Sequence, residues 1–200
     1  MSNLLPYILE HMTIVAIATA LSAVLGIVLG VAAYWLNRLS PFILWLAEMI
    51  QTIPSLALLT ILMIAFGLGN TTMIIGLALY ALLPIVRNTH TGLSSIPPHI
   101  KEAARGMGMS RLQRLFKVEL PLAFPLIFAG LKIAVVNSLS IAVMGVLIGA
   151  GGLGYPIYRG IQQQNLERII TGAVPVVLMA LVFDYGMSWV EKRLVRRAQK

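Results

Sequence analysis

The chain has 200 residues, of which 58% are hydrophobic and 11% charged, with a formal net charge of +8 and a mean hydropathy of +0.89. So few polar side chains cannot cover a water-soluble domain of this size, which excludes a soluble globular protein and leaves an integral membrane protein. The absence of cysteine excludes disulfides and thiolate metal sites.

The apolar runs are continuous, whereas barrel strands alternate apolar and polar residues over about 10 positions, so the spans are expected to be helices of about 20 residues. The first uncharged run, about 12–36, has no basic segment before it and is longer than a signal-peptide core, so it reads as an uncleaved span. A second span is expected over about 42–66, with Glu48 near its start and Gln51, Thr52 and Ser55 gathered around Pro54. Thr52 and Ser55 are three apart and share a helix face. A third span, about 71–87, is bounded by Asn70 and Arg87.

Next comes a loop over 97–121 that concentrates charge: Lys101, Glu102, Arg105, Arg111, Arg114, Lys117 and Glu119. Ile100, Ala103, Ala104 and Met107 recur at helical spacing, which predicts a short amphipathic helix between Pro97–Pro98 and Gly106–Gly108. Ser110-x-x-Gln113 is a capping-box pattern that predicts a second helix, with Leu112, Leu115 and Phe116 as its apolar stripe and Pro121 as its stop. Such a helix–turn–helix could lie on lipid headgroups or dock on a protein. The small residues Ala103, Ala104, Gly106 and Gly108 favour close protein contact, since a surface-lying helix carries bulkier apolar groups.

A fourth span is expected over about 122–148, with Lys132 inside it and Asn137, Ser138 and Ser140 at mid-depth. It ends in Gly149, Gly151, Gly152 and Gly154, four glycines in six positions, which form a sharp turn or a close-packing element. The fifth span, about 169–190, carries Asp184 and leads to a basic tail of Lys192, Arg193, Arg196, Arg197 and Lys200. If the charged loop is cytoplasmic, parity places Arg38 and the tail on the same side and leaves only Arg159 and Arg168 opposite. The expected fold is therefore all-α, with five spans, the N-terminus outside and the C-terminus inside. The positive charge is then a topology signal and an attraction to anionic headgroups, with no nucleic-acid footprint.

Polar side chains inside a span face a cavity or a neighbouring helix. Gln51, Thr52 and Ser55, and Asn137, Ser138 and Ser140, are thus candidates for a translocation pathway; the alternative is hydrogen bonding between helices. Glu48 and Lys132, both near the loop side, are expected to snorkel or to pair with each other, and Asp184 to pair with Lys192 or Arg193. His11, His90 and His99 lack metal-site spacing and read as polar residues at span ends, and no nucleophile motif is present.

Glu102-Ala103-Ala104, followed by Gly108 and then Leu120-Pro121, resembles the EAA signature of the permease subunits of bacterial ABC importers. "IQTIPSLALL" (50–59), "YALLPIVRNTHTGL" (80–93), "VELPLAFPLIFAGLK" (118–132) and "LIGAGGLG" (147–154) extend the resemblance to the osmoprotectant branch, which imports quaternary ammonium compounds such as glycine betaine, choline and carnitine. "VNSLSIAV" (136–143) departs from the Gly-Thr-Ala type stretch usual there.

The resemblance implies that Glu102, Ala103, Ala104, Arg105, Gly108 and Met109 form a coupling helix docking in a groove of a cytoplasmic ATPase dimer. In that reading Glu102 orients the helix or meets a partner charge, Ala103 and Ala104 fit the groove, and Gly108 permits the turn. It also places Gly151, Gly152 and Gly154 near the outer gate. The chain has no phosphate-binding Gly-x-x-x-x-Gly-Lys-Ser/Thr loop, so ATP and Mg²⁺ would sit on the partner ATPase and no cofactor on this chain. Five helices fill their own interior, so a solute path is more easily built between two such bundles, and the resemblance implies a second permease subunit, identical or homologous, and an extracytoplasmic substrate-binding protein. A channel or secondary transporter, or a non-transporting scaffold, are the competing readings; the lack of an intramembrane acidic pair and of an inverted repeat disfavours the former.

Overall fold

A computed structural model describes residues 4–198, which contain helices and no strand. In chain order these are α1 (Leu5–Trp35), α2 (Ser40–Thr52), α3 (Ser55–Phe66), α4 (Asn70–Ser94), α5 (Pro98–Gly106), α6 (Arg111–Arg114), a π-helical turn (Leu115–Glu119), α7 (Leu120–Ile141), a 3-10 stretch (Ala142–Ile148), α8 (Gly154–Gln162) and α9 (Leu166–Ala198). Of the basic tail, Lys200 and the Arg197 side chain lie outside the described residues. Helices α1, α4, α9 and the stretch from α6 to Ile148 are each long and apolar enough to cross a membrane; α2 and α3 qualify together but are bent by 97°.

That bend lies within the apolar run expected as one straight span. Pro54 disfavours helical geometry at Ile53, and both residues are extended. Helix α6 and the π-helical turn run directly into α7, so the helix does not stop at Pro121. That proline occupies the first turn of α7, where a missing N–H is tolerated. Helix α8 lies in the stretch between the fourth and fifth expected spans, where no helix was anticipated.

Helix α4 sits at the centre, between α1 and α7 and alongside α2 and α3. Its approach to α1 is set by small residues of α1 at every fourth position. Ser22 donates to the Ala78 carbonyl at 3.0 Å; a Cβ on Gly26 would lie 2.7 Å from Ile85, and one on Gly30 only 2.5 Å from Thr89. These contacts advance in the same direction along both helices, so α1 and α4 are parallel. Helix α7 is antiparallel to α4: Gly92 packs on Ala123, and Gly130 on the Pro84 carbonyl and Asn88. Small residues draw helix backbones together where lipid offers no hydrophobic drive between helices.

Helices α2 and α3 pass down α4 from one end to the other. Ser40 meets His90, Glu48 pairs with Arg87, Gln51 reaches Tyr80, and Leu59 packs over Gly76. Helix α9 is peripheral: 11% of its most apolar window is buried, against 56% for α4, so most of its flank is open to lipid or to another subunit. It is tied to α7 by Lys132, which donates to Glu191 at 2.7 Å and to Ser188 at 3.4 Å. Glu48 and Lys132 therefore do not pair with each other; each finds a partner on the helix packed beside it. Asp184 forms no ion pair among the described residues, and Arg193 instead lies over the Trp189 ring at 3.5 Å.

The α1–α4 contact makes a direct test. Gly30→Leu forces the two helices apart and is expected to cost about 1–3 kcal/mol, seen as a lower melting temperature and poorer recovery of the protein in detergent. Gly186→Ala, on the open flank of α9 with nothing within 4 Å of the added carbon, is expected to leave both unchanged or slightly improved.

Candidate functional site

The charged loop folds as two short helices joined by a turn. Pro97 is extended and α5 begins at Pro98 and ends at Gly106; Gly108 takes φ +77°, a conformation that suits glycine. Ser110 caps α6: its Oγ accepts from the Gln113 amide at 3.3 Å while the Gln113 side chain accepts from the Ser110 amide at 2.9 Å.

Two of the seven charges hold this loop to the bundle, and two more pair within it. Lys101 donates to the Leu93 carbonyl at 3.0 Å and lies over the Tyr34 ring, and Arg111 donates to the Trp35 carbonyl at 3.3 Å and lies over the Trp35 ring. Arg114 and Glu119 form an ion pair at 2.6 Å with the carboxylate 1% exposed. A buried carboxylate of this kind is tolerated only with its partner in place. The predicted apolar faces also divide. Ala104 and Leu115 are buried and Ile100 packs against the cluster around Leu115, while Met107, Leu112 and Phe116 are exposed.

What remains outward on α5 and the turn after it is Glu102, Ala103, Arg105, Gly106, Met107 and Gly108; Lys117, in the π-helical turn, is also exposed. Ala104 is 1% exposed against its own bundle, so it seats α5 on the bundle and is not free to enter a partner's groove; Met109 is half-buried.

The polar residues of the second and fourth expected spans meet only in part. Gln51 and Asn137 line one recess of about 210 Å³ between α2, α4 and α7, together with Arg87 and Asn88. Thr52 and Ser140 are exposed and Ser55 is half-buried, its hydroxyl toward the Met144 sulfur at 3.5 Å. Ser138 is 2% exposed and turns into the core, away from the recess. Gln51 also has a structural task. Pro84 has no N–H, which leaves the Tyr80 carbonyl without its helical donor, and the Gln51 amide fills that place at 2.9 Å. The Tyr80 hydroxyl in turn donates to the Ile53 carbonyl at the α2–α3 break. Two proline defects thus satisfy each other through one amide and one phenol.

The glycine-rich turn lies at the other end of the bundle, held by residues that sequence reasoning missed. Glu10 accepts from the Asn70 side chain and from the Gly152 amide, both at 2.9 Å, and Asn70 accepts from the Gly151 amide at 2.8 Å. A Cβ on Gly151 would fall 2.0 Å from the Glu10 carboxylate, and one on Gly154 would fall 2.1 Å from the Val143 carbonyl. His11, fully buried, donates from Nε2 to the Leu139 carbonyl at 3.1 Å. The change from α to 3-10 pairing after Ile141 leaves that carbonyl without a helical amide. An acid, a histidine and an asparagine facing glycines at the apolar run boundaries were the available signal, but their partners lie 60 to 142 positions away.

The profile of the binding-protein-dependent transport system inner membrane components matches residues 3–198. The chain is 44% identical over 186 residues to the glycine betaine/carnitine/choline transport system permease protein of Bacillus subtilis strain 168, covering 92% of this chain and 81% of that one. It is 40% identical to the osmoprotectant import permease protein of Salmonella typhimurium, covering 88% and 84%, and 39% identical to the carnitine transport permease protein of Listeria monocytogenes, covering 94% and 86%. Among solved structures, an inward-facing form of the MetNI methionine ABC transporter superposes with a TM-score of 0.86 at 23% identity, covering 96% of this chain and 95% of the other. An amino acid ABC transporter with histidines follows at 0.79 and 19%, covering 95% and 93%. Both identities are low enough that this likeness speaks for the fold alone. Multi-pass helical architecture, family profile and relatives agree: the chain belongs to the family of binding-protein-dependent transport system inner membrane components.

Proposed function

We propose that the chain is one permease half of an ATP-driven importer for quaternary ammonium osmoprotectants such as glycine betaine, carnitine or choline, the compounds named for its relatives in Bacillus and Listeria. It forms one transmembrane domain, 1–200, of a bacterial cell membrane. The steady progress of α2 and α3 along α4 supports counting the bent pair as one crossing, and so five in all. The end that carries Arg38, the charged loop and the α9 tail holds far more Lys and Arg than the end that carries Arg159 and Arg168, which supports a cytoplasmic loop and C-terminus and an outer N-terminus.

The observation that carries the reading is the division of labour within the loop. Lys101, Ala104 and Arg111 fix it from beneath and the Arg114–Glu119 pair ties it together within, while Glu102, Ala103, Arg105 and Met107 are presented outward. A surface pre-ordered in this way loses little entropy on docking and transmits displacement. In the proposed assembly two such loops, from this chain and a second permease, sit on a cytoplasmic ATPase dimer that holds ATP and Mg²⁺. Closure of that dimer brings the loops together and rocks the bundles outward, where a substrate-binding protein delivers its cargo. Only a difference in contact between open and closed ATPase states can drive the shift. The recess of Gln51, Asn88 and Asn137 lies on the solute path, and the clamped glycine turn lies at the outer gate.

Three outcomes test this. Gly108→Asp puts a side chain at φ +77° in open space, at a cost of about 1–2 kcal/mol. The bundle is therefore expected to fold while ATPase co-purification in mild detergent, read by native mass spectrometry, and solute uptake are both lost; normal uptake would overturn the docking role. Asn137→Leu is expected to keep the ATPase bound and to lower uptake by about tenfold; unchanged uptake would remove the recess from the path. Gly151→Ala drives a methyl into the Glu10 carboxylate, and is expected to abolish uptake with ATPase binding retained.

A further inference from the structure

A second recess shares α7 with the Gln51–Asn137 recess, Lys132 lining the one and the neighbouring Ile133 the other, but has its own lining residues and none of the docking loop's outward ones. It has a volume of about 440 Å³, lies between α7 and α9, and is lined by Lys132, Ser188, Glu191, Lys192, Val195 and Arg196. Its three cations face a single carboxylate, and that carboxylate is already engaged by Lys132. Lys192 and Arg196 are exposed and form no ion pair among the described residues. The recess thus offers two uncommitted cations and a serine hydroxyl to an anion.

One face of α9 continues into this recess. Leu178, Val182, Tyr185, Trp189, Lys192 and Arg196 follow one another at alternating spacings of four and three, so they form a single stripe along the helix. Its first four members are exposed, Tyr185 to 70% and Val182 to 69%. The stripe therefore runs from aliphatic to aromatic to cationic in the order in which a bilayer runs from acyl chain to glycerol to phosphate. Trp189, with Arg193 lying over its ring, marks the depth of the membrane interface. A soluble anion would use the cations alone, and would have no use for an exposed apolar track leading to them.

We infer that the α7–α9 recess is a binding site for an anionic phospholipid, with the headgroup phosphate held by Lys192 and Arg196 and assisted by Ser188, and an acyl chain along Leu178, Val182 and Tyr185. The recognised chemistry is a phosphodiester, and basic pockets between helices on the cytoplasmic side are suited to such headgroups. The site is independent of the substrate carried.

The test uses the full chain in nanodiscs of phosphatidylcholine with and without phosphatidylglycerol, followed by native mass spectrometry of the lipid retained on extraction. Wild type is expected to retain phosphatidylglycerol in preference to phosphatidylcholine. Lys192→Gln with Arg196→Gln is expected to lower that retention by about tenfold or more, while Arg159→Gln with Arg168→Gln, at the other end of the bundle, leaves it unchanged. Both pairs are exposed, and an unchanged melting temperature confirms that folding is intact. Equal retention by wild type and the Lys192/Arg196 variant would overturn the site, as would wild type without lipid preference. Displacement of the lipid by millimolar inorganic phosphate would assign the recess to a soluble anion, and a change in subunit number in the Lys192/Arg196 variant would assign the stripe to a subunit contact; either result overturns the lipid.

Discussion

A backbone polar group in hydrocarbon must find a partner inside the protein, and the centre of this bundle is arranged around two places where proline removes one. Pro84 frees the Tyr80 carbonyl in the most buried helix, and Pro54 breaks the helix packed beside it at Ile53. The Gln51 amide and the Tyr80 hydroxyl close both gaps, so the bend between α2 and α3 is locked to one level of α4. With that level fixed, the small residues of α1 and α7 set how near their helices come, and the recess between α2, α4 and α7 takes its position from the same lock. Gln51 therefore shapes the recess as well as lining it.

At either end of the bundle polar groups serve as fasteners. The loop 97–121 looks in sequence like a surface charged for a partner, yet Lys101 and Arg111 are spent on the Leu93 and Trp35 carbonyls of the long helices, and Arg114 and Glu119 on each other. At the opposite end Glu10 and Asn70 bind the amides of Gly151 and Gly152, joining the starts of α1 and α4 to the glycine turn. The charged loop and the glycine turn are thus each stapled to the long helices.

The long helices were legible because apolar runs of membrane length admit no other reading, and the limits of α5 and the cap of α6 followed from Pro97, Gly106, Ser110 and Gln113. Hydropathy could not reveal the 97° bend, since the run 42–66 stays apolar through it; Pro54 was the only sign. Helix α8 went unread because a nine-residue amphipathic segment between a glycine-rich turn and Gln163-Gln164-Asn165 looks like a loop. The partners of Glu48 and Lys132 depend on which helices pack together and at what height, which apolar periodicity does not encode. The same ignorance of register put Ser138 beside Asn137 among candidate pathway residues, although neighbouring helical positions point about 100° apart.

The π-helical turn at Leu115–Glu119 acts as a rotational offset. An i→i+5 turn holds one residue more than an α-helical turn, and one residue is worth about 100° of azimuth and 1.5 Å of rise. Everything before Leu115 in this long helix is thus rotated relative to the register that α7 would impose if the helix were uniform. Arg111 owes its position over Trp35 to that extra residue, and Arg114 owes it the reach to Glu119, five positions on. Loss of a single residue within 115–119 would keep the helix continuous and the membrane span intact, while swinging the loop's anchoring side chains away from their partners.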